Sequence, residues 1–223
     1  VREIADLAAF EEAVNPDAAY NPVPDSNPFD IALLNGGRVL VADAAGNDVL
    51  VVSQNGSIDW VALLTPQPNP APFGPPMMQP VATSVAVGPD GAIYVGELAG
   101  FPGVPRFSRV WRVEPGSLHV TCPSAACTLV AGGFTSIMDM AFGPDGTLYV
   151  LEFDEAGWLA VEMAGGNGVA GGTLNACNVA TGACTVRAGG LSLPTAVTVT
   201  DAGVVWVAEN QGLFGTSHVH PVP

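Results

Sequence analysis

No lysine occurs in the 223 residues, and all six basic side chains are arginine. Chemistry that begins from a lysine amine, in a Schiff base or a P-loop, is thereby excluded. Positive charge is scarce altogether: 21 acidic residues against six basic ones give a formal net charge of −15. Nucleic acid and anionic membrane surfaces both call for clustered positive charge, so neither suits this chain as a partner. No apolar run reaches 18 residues, which leaves no membrane span. No signal-peptide pattern stands at the start, so any leader is expected to have been removed already. A G-x-S-x-G elbow and an H-E-x-x-H helix are also missing.

What is plentiful is glycine, with 27 residues, and proline, with 20, in a chain that is 48% hydrophobic. That composition favours many short elements joined by tight turns over long helices. The length is ample for a core in one large domain or two small ones. The four cysteines fall in two local pairs, Cys122/Cys127 in CPSAAC and Cys177/Cys184 in CNVATGAC. Each pair brackets a turn-like segment, which suits a disulfide at the tip of a β-hairpin. A zinc site is the rival, but C-x₂-C spacing is absent and only His119 lies near either pair. Disulfides imply an oxidising compartment, extracellular or periplasmic.

The stretches SVAVGPDGAIYVGEL (84–98) and DMAFGPDGTLYVLEF (139–153) are nearly the same wording. Two further copies, DIALLNGGRVLVAD and AVTVTDAGVVWVAE, align on the glycine of the turn. The anchors Gly37, Gly91, Gly146 and Gly203 stand 54, 55 and 57 residues apart. Each unit reads as strand, hairpin turn, strand, and DVLVVSQNGSIDWVALL adds a second hairpin at Asn55-Gly56. Four antiparallel strands in about fifty residues make a propeller blade, whereas solenoid coils run to about 20–30 residues. The fold expected is an all-β propeller of about four four-stranded blades: 27–65, 81–132, 134–190 and 193–223. A helix and linker over 1–26 precede them, the helix carried by Leu7, Phe10 and Val14 and stopped at Asn15-Pro16. Ala32, Ala86 and Ala141 are expected to line the channel, and Ile31, Val85, Met140 and Val197 to pack between sheets. Residues 66–80 are too proline-rich for helix or strand. The fourth unit offers SHVHPVP as a third strand and lacks an outer one, for which VREI at the N-terminus is the candidate.

ADLAAFEEAVNPD, DSNPFDIALLNGGRVLVADAAGN, TSVAVGPDGAIYVGELAGFP with SRVWRVEPG, and FTSIMDMAFGPDGTLYVLEF together resemble the ScyD/ScyE family of secreted bacterial propellers. The resemblance spans nearly the whole chain and implies a six-bladed, NHL-like propeller outside the cytoplasm. Family members look longer at the N-terminus by about two blades. Three readings follow: a closed four-bladed ring, a piece completed by a missing N-terminal propeller fragment, or an open array that pairs with copies of itself.

Six residues after each anchor stands an acid: Asp43, Glu97, Glu152 and Glu209. Seven residues before it stand Asp30, Ser84, Asp139 and Ala196. Antiparallel pairing brings both sets to one end of the sheets, near the channel mouth. Converging carboxylates repel unless compensated, so Asp30, Asp43, Glu97, Asp139, Glu152 and Glu209 are candidate ligands for a divalent ion, calcium first. The competing reading makes them structural, accepting N–H bonds from the loops that follow them, AAGN, LAGF, FDEAG and NQGL. Arg109 and Trp111 share one strand face and form a candidate ligand-binding patch, against the alternative that the arginines only neutralise nearby acids. His218 and His220 share a strand face, as a metal pair or an incidental one. Asp90 and Asp145 are turn residues. These features favour a secreted binding or assembly scaffold. The other reading is a metal-dependent hydrolase or lactonase-like enzyme, or an accessory to aromatic-metabolite maturation.

Overall fold

The hairpin turns anchored at Gly37, Gly91, Gly146 and Gly203 all need a left-handed backbone there, with φ of 71°, 76°, 84° and 80°. Glycine adopts that conformation without the clash a Cβ would bring. On these turns the chain builds four small antiparallel sheets in a four-blade propeller arrangement, seen in a computed structural model that describes residues 3–210 and 217–222.

Helix α1 (Leu7–Val14) comes first, its N-terminus capped by the Asp6 carboxylate, which accepts the Ala9 N–H at 3.0 Å. The first blade is the meander β1 (Pro28–Leu34), β2 (Arg38–Asp43), β3 (Asp48–Val52) and β4 (Ile58–Leu64). The proline-rich stretch is not wholly irregular, since β5 (Gln67–Pro68) and β6 (Met77–Met78) pair as a short ribbon. The second blade holds β7 (Pro80–Val87), β8 (Ile93–Ala99) and β9 (Ser108–Val113); β10 (Val120–Cys122) then leaves it before β11 (Cys127–Phe134) returns as its outer strand. The third comprises β12 (Ile137–Phe142), β13 (Leu148–Glu152), β14 (Gly172–Asn178) and β15 (Ala183–Leu191), with a second helix, α2 (Trp158–Met163), inserted before β14. The fourth has three described strands, β16 (Ala196–Val199), β17 (Val205–Glu209) and β18 (His218–Val222).

Three apolar cores lie between successive blades. Leu40, Val49 and Val51 meet Val85, Val95 and Trp111. Tyr94 and Val110 meet Ile137, Met140 and Val150. Leu151 and Leu174 meet Val197, Val205 and Val207. Period-two alternation gives each strand two faces, and in a blade stack both are covered. This corrects the expected role of the alanines: Ala32 packs into the first core and Ala141 into the third, rather than lining a channel. Val85, Met140 and Val197 are buried against the preceding blade, while Ile31, at the same position of the first blade, is 66% exposed. The inner strands β1, β7, β12 and β16 pack side by side in that order.

Both cysteine pairs are disulfides, with Cα–Cα separations of 5.1 Å and 4.1 Å. Cys177 and Cys184 are cross-strand neighbours on β14 and β15, as a hairpin requires. The first bridge is different. β10 pairs in parallel with β4, Val120 beside Ala62, while Cys127 starts the outer strand of the second blade. The Cys122–Cys127 disulfide therefore staples two adjacent blades instead of closing a hairpin. VREI does not complete the fourth blade among the described residues. Val1 and Arg2 lie outside them, and the Ile4 carbonyl sits against Gly56 of the first blade. No helix of the described residues is long and apolar enough to cross a membrane.

Candidate functional site

In each of the first three blades the innermost strand carries a β-bulge at the same place, between Pro28 and Asp30, Ala82 and Ser84, and Ile137 and Asp139. A bulge re-aims the residue that follows it. Here it groups Asp30, Ser84 and Asp139: Ser84 Oγ lies 3.1 Å from Asp30 Oδ2 and 3.3 Å from Asp139 Oδ1. Each acid also reaches to the next blade's backbone, Asp30 accepting the Val85 N–H at 2.8 Å and Asp139 the Val197 N–H at 2.7 Å. The serine hydroxyl has one proton to donate, so the second carboxyl contact is best filled when that carboxyl keeps its own proton. Burial, with Asp30 adding repulsion, pushes Asp139 up to about 7, and burial raises Asp30 as well.

The strand-end acids do a different job in each blade. Asp43 accepts Ser26 Oγ at 2.6 Å and the N–H groups of Asn27, Ala45 and Gly46 at 2.7, 3.1 and 3.1 Å. Glu152 accepts the Thr135 N–H and, at 2.5 Å, Asn175 Nδ2, and burial lifts its carboxyl to about 7. Glu209 Oε1 accepts the Ser192 N–H at 2.7 Å. In these three blades the acid ties down the upstream loop that enters the blade, and among the described residues only Asp43 also holds the following loop that the sequence suggested, through Ala45 and Gly46. Glu97 is held by side chains: Arg109 Nη2 at 2.8 Å, Trp111 Nε1 at 2.6 Å and Gln67 Nε2 at 3.0 Å. Burial raises its carboxyl against the opposing pull of Arg109 and Trp111.

Arg109 and Trp111 do share a face, with the guanidinium 4.8 Å above the indole ring, and both spend their donors on Glu97. Arg112, on the opposite face, pairs with Asp90 at 2.9 Å and Glu114 at 2.6 Å. Asp90 and Asp145 accept the Ala92 and Thr147 N–H groups at 3.2 and 3.0 Å, as turn residues do.

Among the described residues, one group of three or more histidine, cysteine or acidic side chains has its ligand atoms within 4.8 Å: Glu209, His218 and His220. The six acids singled out in the sequence form no such group by themselves. Alternation puts His218 and His220 on one face of β18, and pairing sets Glu209 opposite His218. Both imidazole Nε2 atoms approach Glu209 Oε2, at 2.9 and 3.0 Å. The carboxylate is buried and the rings face solvent. The spacing of the histidines was visible in sequence; their acidic partner was not, because only the β17–β18 register supplies it. Elsewhere, Tyr20, Pro66, Pro76, Met77, Gln79 and Phe101 line a mainly apolar cleft of about 700 Å³ between the N-terminal segment and the proline-rich loop.

No family model and no curated protein matches the chain. Among solved structures, it is similar to the PQQ-bound aldose sugar dehydrogenase of Streptomyces coelicolor, at 18% identity and a TM-score of 0.59, over 87% of this chain and 59% of that one. It is similar to a Thermus thermophilus protein assigned as an oxidoreductase of the glucose dehydrogenase type, at 17% identity and 0.58, over 88% and 62%. A protein assigned as a gluconolactonase aligns at 14% identity and 0.52, over 86% and 59%. The chain spans about three-fifths of the length of these structures. They are β-propellers, and the likeness is one of fold.

Proposed function

We propose that this is a secreted β-propeller scaffold that assembles with copies of itself through the apolar faces of its end blades. The observation that carries the reading is the pair of uncovered blade faces. Ile31 and Leu33 on β1 are 66% and 78% exposed, and Val219 on β18 is 65% exposed. At the three interior boundaries the positions matching Ile31 and Val219 are buried blade against blade, and those matching Leu33 (Val87, Phe142 and Val199) are partly buried against the same cores. A second copy offers the first blade's face the kind of surface it is built to pack on, a head-to-tail contact. The acidic composition, two disulfides and the resemblance to ScyD/ScyE propellers support an extracytoplasmic home.

Sedimentation of the purified chain over a range of concentrations tests this, with and without chelator. The expected mass exceeds 22.6 kDa and rises with concentration, and Leu33→Glu with Val219→Glu returns it to monomer. A mass that stays monomeric throughout overturns the reading.

A second reading, a metal-dependent hydrolase or lactonase-like enzyme, is favoured by the group of buried Glu209 with the solvent-facing rings of His218 and His220. Two imidazoles and one carboxylate suit zinc better than calcium, and such an ion polarises a carbonyl. Lactone hydrolysis that requires zinc and is lost in His220→Ala would support it.

A further inference from the structure

Among the described residues, buried side-chain oxygens without a hydrogen-bond partner concentrate under helix α1. They are both carboxylate oxygens of Glu11, both of Asp48, and Oδ1 of Asn47. The three residues are 1%, 0% and 1% exposed. Glu11 follows Leu7 by four positions, so it shares the helix face that packs Leu7 and Phe10 onto Val41, Leu50 and Val52 of the first blade. Asn47 and Asp48 end the β2–β3 turn. The Asn47 amide nitrogen is spent on Asp17 Oδ2 at 2.6 Å and on the Ala45 carbonyl at 3.2 Å, which leaves its oxygen over. Gly46 marks how tight the space is: a Cβ there would stand 3.3 Å from both Glu11 Oε1 and Asp48 Oδ1.

The charge is as unusual as the missing bonds. The groups acting on Glu11 are Asp43, Asp17 and Asp25, and those acting on Asp48 are Glu11, Asp43 and Asp17. All are acids. Burial and this repulsion push Glu11 up to about 7 and Asp48 well above the usual range. One neutral carboxyl can donate to a neighbouring carboxylate oxygen, but that still leaves Asn47 Oδ1 and the remaining carboxylate oxygens without a donor. A cation satisfies the oxygens and the charge together.

We propose that Glu11, Asn47 and Asp48 bind one calcium ion, which fastens helix α1 to the β2–β3 turn, with Asp17 holding the Asn47 amide in place. The donors are all oxygen, with no histidine or cysteine among them, which selects a hard cation. Calcium accepts six to eight such ligands in irregular geometry, whereas magnesium demands a near-ideal octahedron and keeps several waters. This enclosed set, drawn from a helix and a turn, suits calcium. The site adjoins Asp43 across the β2–β3 pair and is separate from the other rim acids and from Glu209, His218 and His220.

The test is calorimetric titration of chelator-stripped full chain with CaCl₂, alongside thermal unfolding in Ca²⁺ and in EGTA. One Ca²⁺ per chain is expected, with a Tm about 5 °C or more higher in Ca²⁺ than in EGTA. Glu11→Gln and Asp48→Asn should each weaken binding ~100-fold or more. In EGTA both variants should unfold at or above the wild-type Tm, since each removes a buried, repelled charge. Asn47→Ala, which removes one ligand oxygen, serves the binding comparison if either fails to fold. Absence of binding heat together with equal Tm in Ca²⁺ and EGTA overturns the proposal, as does undiminished binding in the variants. Stoichiometry per chain is read whatever the assembly state, so this result stands apart from the self-association test.

Discussion

Glu97 and Glu11 are both glutamates closed off from water, at 0% and 1% exposure, yet their surroundings are opposites. Arg109, Trp111 and Gln67 converge on Glu97, which thereby joins β8, β9 and the β5 ribbon. Glu11 has acids for neighbours and no donor for either oxygen. Burying a carboxylate is costly in both places, so something must offset it. At Glu97 the protein supplies the counter-charge; under α1 it supplies further ligands, which is how a chain prepares a place for an ion.

The largest effect that separates the two is Glu97→Ala. It strands the half-buried Arg109 and the Trp111 N–H beside an empty volume, and a loss of about 3 kcal/mol is expected. Urea unfolding in EGTA measures it. Glu11→Gln under the same conditions should lose nothing. A tolerated Glu97→Ala would mean the cluster is held by packing alone, and the contrast would collapse.

A middle-sized effect comes from the proton-sharing group at the rim. Asp139 has a folded-state pKa of about 7, above the ordinary carboxylate value, so the folded state holds this proton more tightly than the unfolded one. The stabilisation is complete below the unfolded pKa of about 4 and is lost as pH rises toward 7, at no more than about 1.4 kcal/mol per pH unit. Asp30 and Ser84 are the groups facing it that shape this titration. Asp139→Asn should flatten the slope between about pH 4 and 7 relative to wild type, while the remaining acids titrate alike in both proteins. Equal slopes would show that Asp139 is ionised throughout.

The blades were legible because each repeats a local signal: an anchor glycine with positive φ, alternation on both sides, and an acid where the second strand ends. The acid's position was therefore readable, but not its partner. Thr135, Ser192 and Asn27 come from the loops that lead into each blade, sixteen or seventeen residues upstream of the acid they bind. Helix α2 was missed because Trp158–Met163 is too short to show helical periodicity. β10 was misplaced because its partner β4 lies nearly sixty residues upstream, Val120 beside Ala62, in another blade. Glu11 was hidden for a further reason. In sequence it belongs to an acidic pair, Glu11-Glu12, that looks like a solvated helix face, and only the docking of α1 on Leu50 and Val52 turns one of the two inward.

The smallest effect is also the most discriminating, because its sign should change with calcium. Gly46 lies outside the left-handed region, so alanine meets no backbone strain there, but its Cβ would press on Glu11 Oε1 and Asp48 Oδ1 at 3.3 Å. Without the ion those carboxylates can shift by a few tenths of an ångström. Gly46→Ala should then stabilise the chain in EGTA by about 0.5 kcal/mol, through a less flexible unfolded state. With the ion bound, the same oxygens are held to ligand positions, and the methyl group displaces them. Calcium affinity should fall about tenfold, equivalent to about 1.4 kcal/mol. Thermal unfolding of wild type and Gly46→Ala in the two buffers reads both signs at once. A shift of the same sign in EGTA and in Ca²⁺ would mean that the oxygens under α1 are not drawn together by an ion, and Glu11 would then differ from Glu97 only in carrying its proton.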